Sequence, residues 1–275
     1  MREKSNGKNK KGKSMKIAIK IRNLNKIYDT SPPLKALDNF NLDIYENEFV
    51  CVIGPSGCGK STLLKIIAGF EPYDNGEVLV ENKPVRCPGP DRFVVHQEFD
   101  QLLPWKTVYQ NIDFGLFLKG ISEEKSEKSV KEIIDLVGLK KFENRYPHEL
   151  SGGMQQRVAM ARALVMDPSV LLMDEPFGSL DAQMRKSLGY ELVRIWQEIP
   201  KTIFFVTHNI HESVRLADRV VVMTSQPGKV KKIINVDLPR PRKPGSKEFA
   251  EIWDKIVNIF PSSSRSDNKV RGKKK

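Results

Sequence analysis

The stretch "FVCVIGPSGCGKSTLLKIIAGF" (49–70) decides the fold of this chain. Residues 49–53 are continuously apolar, as in a parallel strand buried on both faces. Residues 54–62 fit the pattern G-x-x-x-x-G-K-[ST], and an apolar helical segment follows them. In this order of strand, loop and helix, glycines let the backbone approach an anion, and successive N–H groups bind phosphate. The stretch therefore predicts a nucleotide-binding loop on an α/β core.

Each residue type in this loop has a chemical role. Lys60 is expected to reach the β- and γ-phosphates, and the Ser61 hydroxyl to bind Mg²⁺. For Cys58 two interpretations stay open: a thiol acidified by the helix N-terminus, or a small residue that the loop tolerates. The candidate nucleotide-binding residues are Gly54, Pro55, Ser56, Gly57, Cys58, Gly59, Lys60, Ser61 and Thr62.

A second apolar strand, "VLLMDEP" (170–176), ends in two adjacent carboxylates. Ligands of parallel α/β sheets bind at the carboxyl ends of the strands, so these side chains are expected near the phosphates. Asp174 is predicted to hold Mg²⁺, usually through water. Glu175 is predicted to polarise the attacking water as general base.

Apolar runs recur along the second half of the chain. Residues 169–174, 202–208 and 219–223 resemble the first buried strand, and residues 182–199 carry an apolar stripe at helical spacing. Strands that alternate with helices predict a parallel sheet covered on both faces. The residues of the stripe are Met184, Leu188, Leu192, Ile195 and Ile199.

Other segments have a different character. Residues 98–165 contain helical patterns without buried-strand runs, which predicts an inserted helical subdomain. Residues 17–48 alternate apolar and polar side chains, which suggests an antiparallel sheet beside the core. We expect one nucleotide-binding domain over 17–260, with a C-terminal extension at about 226–260.

The charge of the chain is concentrated at its ends. Residues 1–16 carry +6 and residues 261–275 carry +5 of the formal net charge of +12, which leaves about +1 for the body. Both segments are poor in apolar residues, so we expect disordered tails. They would serve solubility, or attract anionic lipid headgroups or nucleic acid.

Composition also indicates the compartment. The three cysteines have no metal-ligand spacing, which fits a reducing environment. No apolar run approaches the roughly 20 residues of a bilayer span, and no apolar segment follows the basic N-terminus as in a secretory signal. We therefore expect a soluble, cytoplasmic chain that meets a membrane only through a partner.

A further phosphate-binding pattern lies in "LSGGMQQR" (150–157). A serine and two glycines open a predicted helix, where backbone N–H groups are unpaired and the helix dipole favours an anion. This segment lacks a lysine, so as a nucleotide site it is incomplete.

Taken together, these motifs resemble the ATP-binding subunits of ATP-binding cassette (ABC) transporters. "GPSGCGKST" (54–62), "LSGGM" (150–154), "LLMDEP" (171–176), "SLD" (179–181) and "TH" (207–208) occur in the order and spacing of that family. The resemblance implies an α/β nucleotide-binding core, an N-terminal antiparallel β subdomain and an inserted α-helical signature subdomain. It also implies ATP and Mg²⁺ as cofactors.

The resemblance assigns further roles. Tyr28 matches the aromatic residue that stacks on adenine, although a core aromatic of the strand is an alternative. Gln97 matches the glutamine that contacts Mg²⁺ or the water and senses the membrane partner. His208 matches the switch histidine that contacts the γ-phosphate, and Asp181 matches the aspartate that crosses the dimer interface.

In this family the signature segment completes the site of another subunit. Ser151, Gly152 and Gly153 match the residues that bind a γ-phosphate held by the second copy, so the resemblance implies a dimer, expected to be a homodimer. ATP binding would close the dimer and hydrolysis would reopen it.

Residues 88–116 and "DLPRPR" (237–242) are similar to importers of the nitrate, sulfonate and taurine type. This similarity implies permease subunits as partners, an extracytoplasmic solute-binding protein as an indirect partner, and a peripheral position on the cytoplasmic face of the membrane. "LLPW" (102–105) is either a docking patch for the permease or internal packing. The alternative function is a soluble ABC-type ATPase acting on nucleic acid or ribosomes. It is disfavoured because the chain has one cassette and residues 98–165 lack a long or cysteine-bearing insertion.

Overall fold

The stretch 49–70 folds as strand, phosphate loop and helix within a computed structural model that describes residues 16–96 and 101–260. Gln97 lies outside the described residues, and so do the predicted tails except for Lys16. The strands are β1 (Ile17–Tyr28), β2 (Leu34–Tyr45), β3 (Phe49–Ile53), β4 (Asn75–Val80), β5 (Lys83–Pro84), β6 (Arg92–Val95), β7 (Val170–Asp174), β8 (Thr202–Thr207), β9 (Arg219–Met223) and β10 (Val230–Asn235). The α-helices are α1 (Lys60–Ala68), α2 (Val108–Leu118), α3 (Glu123–Leu136), α4 (Gly152–Val165), α5 (Ala182–Glu198), α6 (Ile210–Leu216) and α7 (Lys247–Ile259).

The central sheet has six strands in the order β10-β9-β3-β8-β7-β6. β3 pairs in parallel with β8 and β9, β8 with β7, and β7 with β6, whereas β10 runs antiparallel to β9. All residues of β3 and β8 are buried, as expected of strands with both faces covered. Because the five parallel strands end at the same edge, the sheet brings together the loops that follow β3, β6, β7, β8 and β9.

The two faces of the sheet belong to two hydrophobic cores, since side chains alternate along a strand. Val50 and Val52 of β3 pack in one core with α1 and the N-terminal strands. Phe49, Cys51 and Ile53 pack in the other core with α4, α5 and α6. The phosphate loop and α1 are thereby fixed between two sheets.

The N-terminal strands form a separate antiparallel sheet in the order β2-β1-β4-β5. The inserted region folds as α2, α3 and α4, and α2 begins with a capping box between Thr107 and Gln110. The predicted fold class is confirmed. We retain 98–165 and 226–260 as the proposed extents of the helical subdomain and the C-terminal extension.

Within 16–96 and 101–260, no helix combines the length and the apolarity that crossing a bilayer requires.

Candidate functional site

The phosphate loop leaves β3 and turns directly into α1. Gly59 precedes the helix with φ 97° and Gly57 has φ 76°, both in the left-handed region that glycine adopts without strain. No side chain caps the N-terminus of α1, so its first N–H groups face the loop without a side-chain acceptor. This geometry suits a bound phosphate.

Lys60 supplies the positive charge of the loop. Its ammonium donates to the carbonyl oxygens of Gly54 at 2.9 Å and Pro55 at 3.1 Å, and the side chain is buried. These carbonyls hold the ammonium against the loop, in a position to form a charge-assisted hydrogen bond with a phosphate oxygen.

Cys58 is not the acidified thiol that one interpretation allowed. Its side chain is 1% exposed, and burial raises the pKa of the thiol more strongly than Lys60 and nearby backbone N–H groups lower it. A Cβ on Gly54 would lie 2.6 Å from the Cys58 sulfur, so the residue is tightly packed in the loop. Cys58 is therefore a small buried residue of low reactivity.

Ser61 and Asp174, 113 residues apart, meet at the predicted metal position. The Ser61 hydroxyl donates to a carboxylate oxygen of Asp174 at 3.1 Å, and burial raises the pKa of Asp174. The part of the chain that the structure describes contains no group of three or more His, Cys, Asp or Glu side chains able to hold a metal. Mg²⁺ commonly binds one or two protein oxygens together with substrate phosphates, and this pair fits that pattern.

Glu175 and His208 form a second polar pair. Nδ1 of His208 lies 2.7 Å from a carboxylate oxygen of Glu175. The hydrogen bond to His208 lowers the pKa of Glu175, and the same bond raises the pKa of His208. Glu175 has φ 46°, a left-handed conformation that is uncommon outside glycine, and its N–H donates to the Val206 carbonyl at 3.0 Å. Such a constrained residue beside a binding loop is a candidate for a functional role.

Tyr28 and Asp181 occupy different positions around the core. The Tyr28 hydroxyl lies 3.3 Å from the Thr62 hydroxyl, so this aromatic ring is half-buried beside the phosphate loop rather than enclosed in the core. Asp181 caps α5 by accepting from the N–H groups of Gln183 and Met184 at 2.9 Å. This cap fixes the direction in which loop 177–180 enters α5.

The signature segment opens α4. Ser151 is the exposed N-cap residue, and its hydroxyl accepts from the Met154 N–H at 3.4 Å. A Cβ on Gly153 would lie 2.5 Å from the Met184 sulfur, so Gly153 allows α4 to approach α5. Ser151 begins a helix of the inserted subdomain, whereas Lys60 begins a helix of the core.

A buried network that the motifs did not indicate links the loops around the site. Arg185 donates to three carbonyl groups of loop 177–180 and lies 3.6 Å from a carboxylate oxygen of Glu212. The other oxygen of Glu212 accepts from the Thr207 hydroxyl at 2.7 Å, directly before His208. Sequence spacing carries no signal for this network, because it depends on the packing of α5 against α6.

The structure divides "LLPW" between internal packing and exposed surface, and a docking role for the exposed part stays a prediction. Leu102 is 3% exposed and belongs to the core, whereas Trp105 is 70% exposed. A groove beyond the phosphate-loop helix combines aromatic and cationic side chains. Its lining includes Phe70, Pro88, Phe93, His96 and Arg162.

Comparisons with known proteins identify the family of the chain. The family model described as ABC transporter matches residues 37–178. An uncharacterized ABC transporter ATP-binding protein of Methanocaldococcus jannaschii is 54% identical over 252 residues, covering 91% of this chain and 94% of the relative. An aliphatic sulfonates import ATP-binding protein, SsuB, of Bacillus licheniformis is 48% identical over 227 residues, covering 82% and 88%.

Solved structures are similar as well. A bacterial ABC transporter cassette in a dimeric structure has a TM-score of 0.69 and 34% identity, covering 80% of this chain and 100% of that chain. A dimeric ATP-binding cassette in a post-hydrolysis state, bound to ADP and Pi, has a TM-score of 0.69 and 33% identity with the same coverage. With its phosphate loop, its carboxylates and its signature helix, the chain belongs to the ABC transporter family as an ATP-hydrolysing cassette.

Proposed function

We propose that this chain energises an importer of a small solute of the nitrate, sulfonate or taurine class. The sulfonate-import relatives support the importer assignment, at 46–48% identity over 82% of the chain. The observation that carries the catalytic assignment is the 2.7 Å hydrogen bond between His208 and Glu175 at the strand edge that bears the phosphate loop.

The proposed nucleotide site uses the residues of that edge. Lys60 and the N–H groups of loop 54–62 bind the phosphates, and Tyr28 stacks on adenine. Ser61 and Asp174 would hold Mg²⁺, with Gln97 as the third proposed ligand. When bound, the ion neutralises charge on the phosphate oxygens.

Glu175 and His208 divide the proposed catalytic work. The lowered pKa keeps Glu175 ionised at neutral pH, so its carboxylate orients and polarises the attacking water. His208 would contact the γ-phosphate, and its raised pKa increases the fraction that carries a positive charge there. The pair also fixes the imidazole orientation through Nδ1 and leaves Nε2 for the phosphate.

We infer that a second copy of the chain completes each site. Ser151 offers an exposed hydroxyl at the start of α4, and Gly152 and Gly153 lie in its first turn. A γ-phosphate held by Lys60 of one copy would bind the signature segment of the other, with Asp181 at the interface. This arrangement explains why the signature segment needs no lysine.

The groove that Phe70, Phe93 and Arg162 line is the proposed docking site for a permease. Phe70 and Phe93 offer apolar surface, and Arg162 is partly buried with a lowered pKa caused by desolvation. Such a site suits a short amphipathic helix with an acidic side chain. Docking there would place the chain on the cytoplasmic face of the membrane and link it indirectly to a solute-binding protein.

The test measures uptake of labelled nitrate, sulfonates and taurine in cells that lack this chain. We expect wild-type chain to restore uptake of one solute, and the Glu175→Gln variant to restore none. Copurification from detergent extracts identifies the partner. An integral membrane protein supports the proposal, whereas ribosomes without a membrane protein would overturn it in favour of the soluble alternative.

A further inference from the structure

The turn between β9 and β10 packs against the back of the phosphate loop, more than 160 residues away in the chain. This turn, residues 224–229, closes on itself through Thr224. The Thr224 hydroxyl donates to the Pro227 carbonyl at 2.8 Å and accepts from the Lys229 N–H at 2.9 Å. The turn therefore has a defined shape of its own.

Two backbone hydrogen bonds and one ion pair attach this turn to β2. The Gly228 N–H donates to the Ala36 carbonyl at 2.9 Å, and the Asp38 N–H donates to the Gly228 carbonyl at 3.2 Å. Asp38 also pairs with Lys229 and, at 2.7 Å, with Lys35, and both lysines lower the pKa of Asp38.

Gly228 lies where no side chain fits. A Cβ at this position would lie 2.2 Å from the carbonyl oxygen of Cys58, 2.7 Å from Met223 Cε and 3.2 Å from the Ala36 carbonyl oxygen. The nearest atom is backbone, so a side chain cannot be accommodated by a rotamer change. Gly59 of the phosphate loop packs against the same Ala36 carbonyl. A Cβ on Gly59 would lie 2.9 Å from the Ala36 oxygen.

We propose that Gly228 is a positioning residue for ATP binding. The Ala36–Gly228 pair supports the peptide groups of Cys58 and Gly59, which lead into the first N–H groups of α1. The direction of those N–H groups decides how well phosphate oxygens are bound. The inference rests on the proposed assignment of residues 54–62 as the ATP-binding loop and adds a distant residue that sets its geometry.

The expected effect follows from the distances. To bring the new contact from 2.2 Å to the 3.0 Å limit of real Cβ contacts, the Cys58 carbonyl has to move by about 0.8 Å. A displacement of about 1 Å can lower the rate of a positioned reaction about 100-fold, and we expect phosphate binding by oriented N–H groups to be sensitive over the same range. For Gly228→Ala we therefore expect a 10- to 100-fold higher Kd for ATP.

The experiment measures ATP binding to the full chain by titration calorimetry. Gly245→Ala is the matched control, because its added Cβ meets nothing within 4 Å, and its Kd should equal that of wild type. Ile256→Val removes a buried methyl group in α7 and controls for a general loss of stability. A Kd for Gly228→Ala within twofold of wild type would overturn the proposal, and so would an equal rise in Ile256→Val.

Two further variants cover the cases in which Gly228→Ala does not fold or the loop assignment itself is wrong. If Gly228→Ala does not fold, Asp38→Ala removes the ion pair that holds Lys229 of the turn to β2, and we expect at least a threefold higher Kd. A wild-type Kd in that variant overturns the proposal. Lys60→Ala tests the loop assignment separately. If Lys60→Ala binds ATP as wild type does, the assignment of residues 54–62 fails, whatever Gly228→Ala shows.

Discussion

Replacing Glu175 with glutamine separates catalysis from binding and stability at this site. The substitution keeps the size of the side chain and its ability to bond His208, but it removes the charge that polarises water. Lys60, Ser61 and Asp174 stay unchanged, and none of them contacts Glu175 through a described hydrogen bond. ATP binding should therefore persist when hydrolysis is lost.

We expect the substitution to change the rate of hydrolysis much more than the stability of the fold. A positioned general base contributes about 10²- to 10⁴-fold to a rate, which is roughly 3–5 kcal/mol of barrier. The side chains of Glu175 and His208 are 25% and 58% exposed, and ion pairs at such exposure contribute about 0.2–1 kcal/mol to stability. One kcal/mol shifts the Tm of a domain of this size by about 2–4 °C. We expect kcat to fall at least 100-fold while Tm changes by no more than about 4 °C.

The assay follows phosphate release at saturating ATP, with Tm and the Kd for ATP measured on the same protein. Glu198→Gln is the matched control, because Glu198 forms a 2.7 Å ion pair with Arg194 on the exposed side of α5. Its kcat should stay within twofold of wild type. Turnover of Glu175→Gln within tenfold of wild type would refute the role of Glu175 as general base. A Kd that rises as much as kcat falls would show a binding role instead.

Three other predictions use different observables. In Glu175→Gln the pKa of His208, followed by NMR of the imidazole, should fall, because the carboxylate charge that raises it is gone while burial still lowers it. With a thiol reagent at pH 8, Cys87 should react at least about 100-fold faster than Cys58, since Cys87 is exposed and Cys58 is buried with a raised pKa. Arg242→Met should lower the free energy of unfolding in urea by about 3–5 kcal/mol. Arg242 is 3% exposed, and its guanidinium donates to the buried carbonyls of Val214 and Ala217, which the variant leaves unpaired at about 1–3 kcal/mol each.

Each of these predictions has a control or a contrary result. Arg86 is exposed, so Arg86→Met should leave the urea midpoint unchanged. An Arg242→Met loss below 1 kcal/mol would mean that water satisfies the carbonyls. Equal reaction rates for the two thiols would show that the phosphate loop opens readily. An unchanged His208 pKa would contradict the contact with Glu175.

Much of the fold follows from local sequence patterns. The apolar runs of β3, β7, β8 and β9 and the stripe on α5 were predictable, because buried strands and amphipathic helices impose their own periods on a sequence. β6 and the short helix α6 were not predicted. Their four and seven residues are too few to display a period, and their contacts with neighbouring elements stabilise them.

The candidate site was likewise predictable in part from the sequence. The residues of loop 54–62 and the two carboxylates at the end of β7 were readable from their motifs, because this chemistry requires certain residue types at fixed spacing. The state of Cys58 was not readable, since the electrostatic effect of a helix N-terminus and the cost of burial act in opposite directions. Only the packed structure decides which is larger.

The sequence by itself determined the parts of an ABC ATPase and their order along the chain. The tertiary structure alone placed Ser61 against Asp174, buried Leu102 while exposing Trp105, and set Gly228 against the phosphate loop. The physical reason is how far apart along the chain the interacting residues lie. Strand and helix periods and loop motifs act over a few residues, whereas these contacts arise where parallel strands bring distant segments to one edge of the sheet.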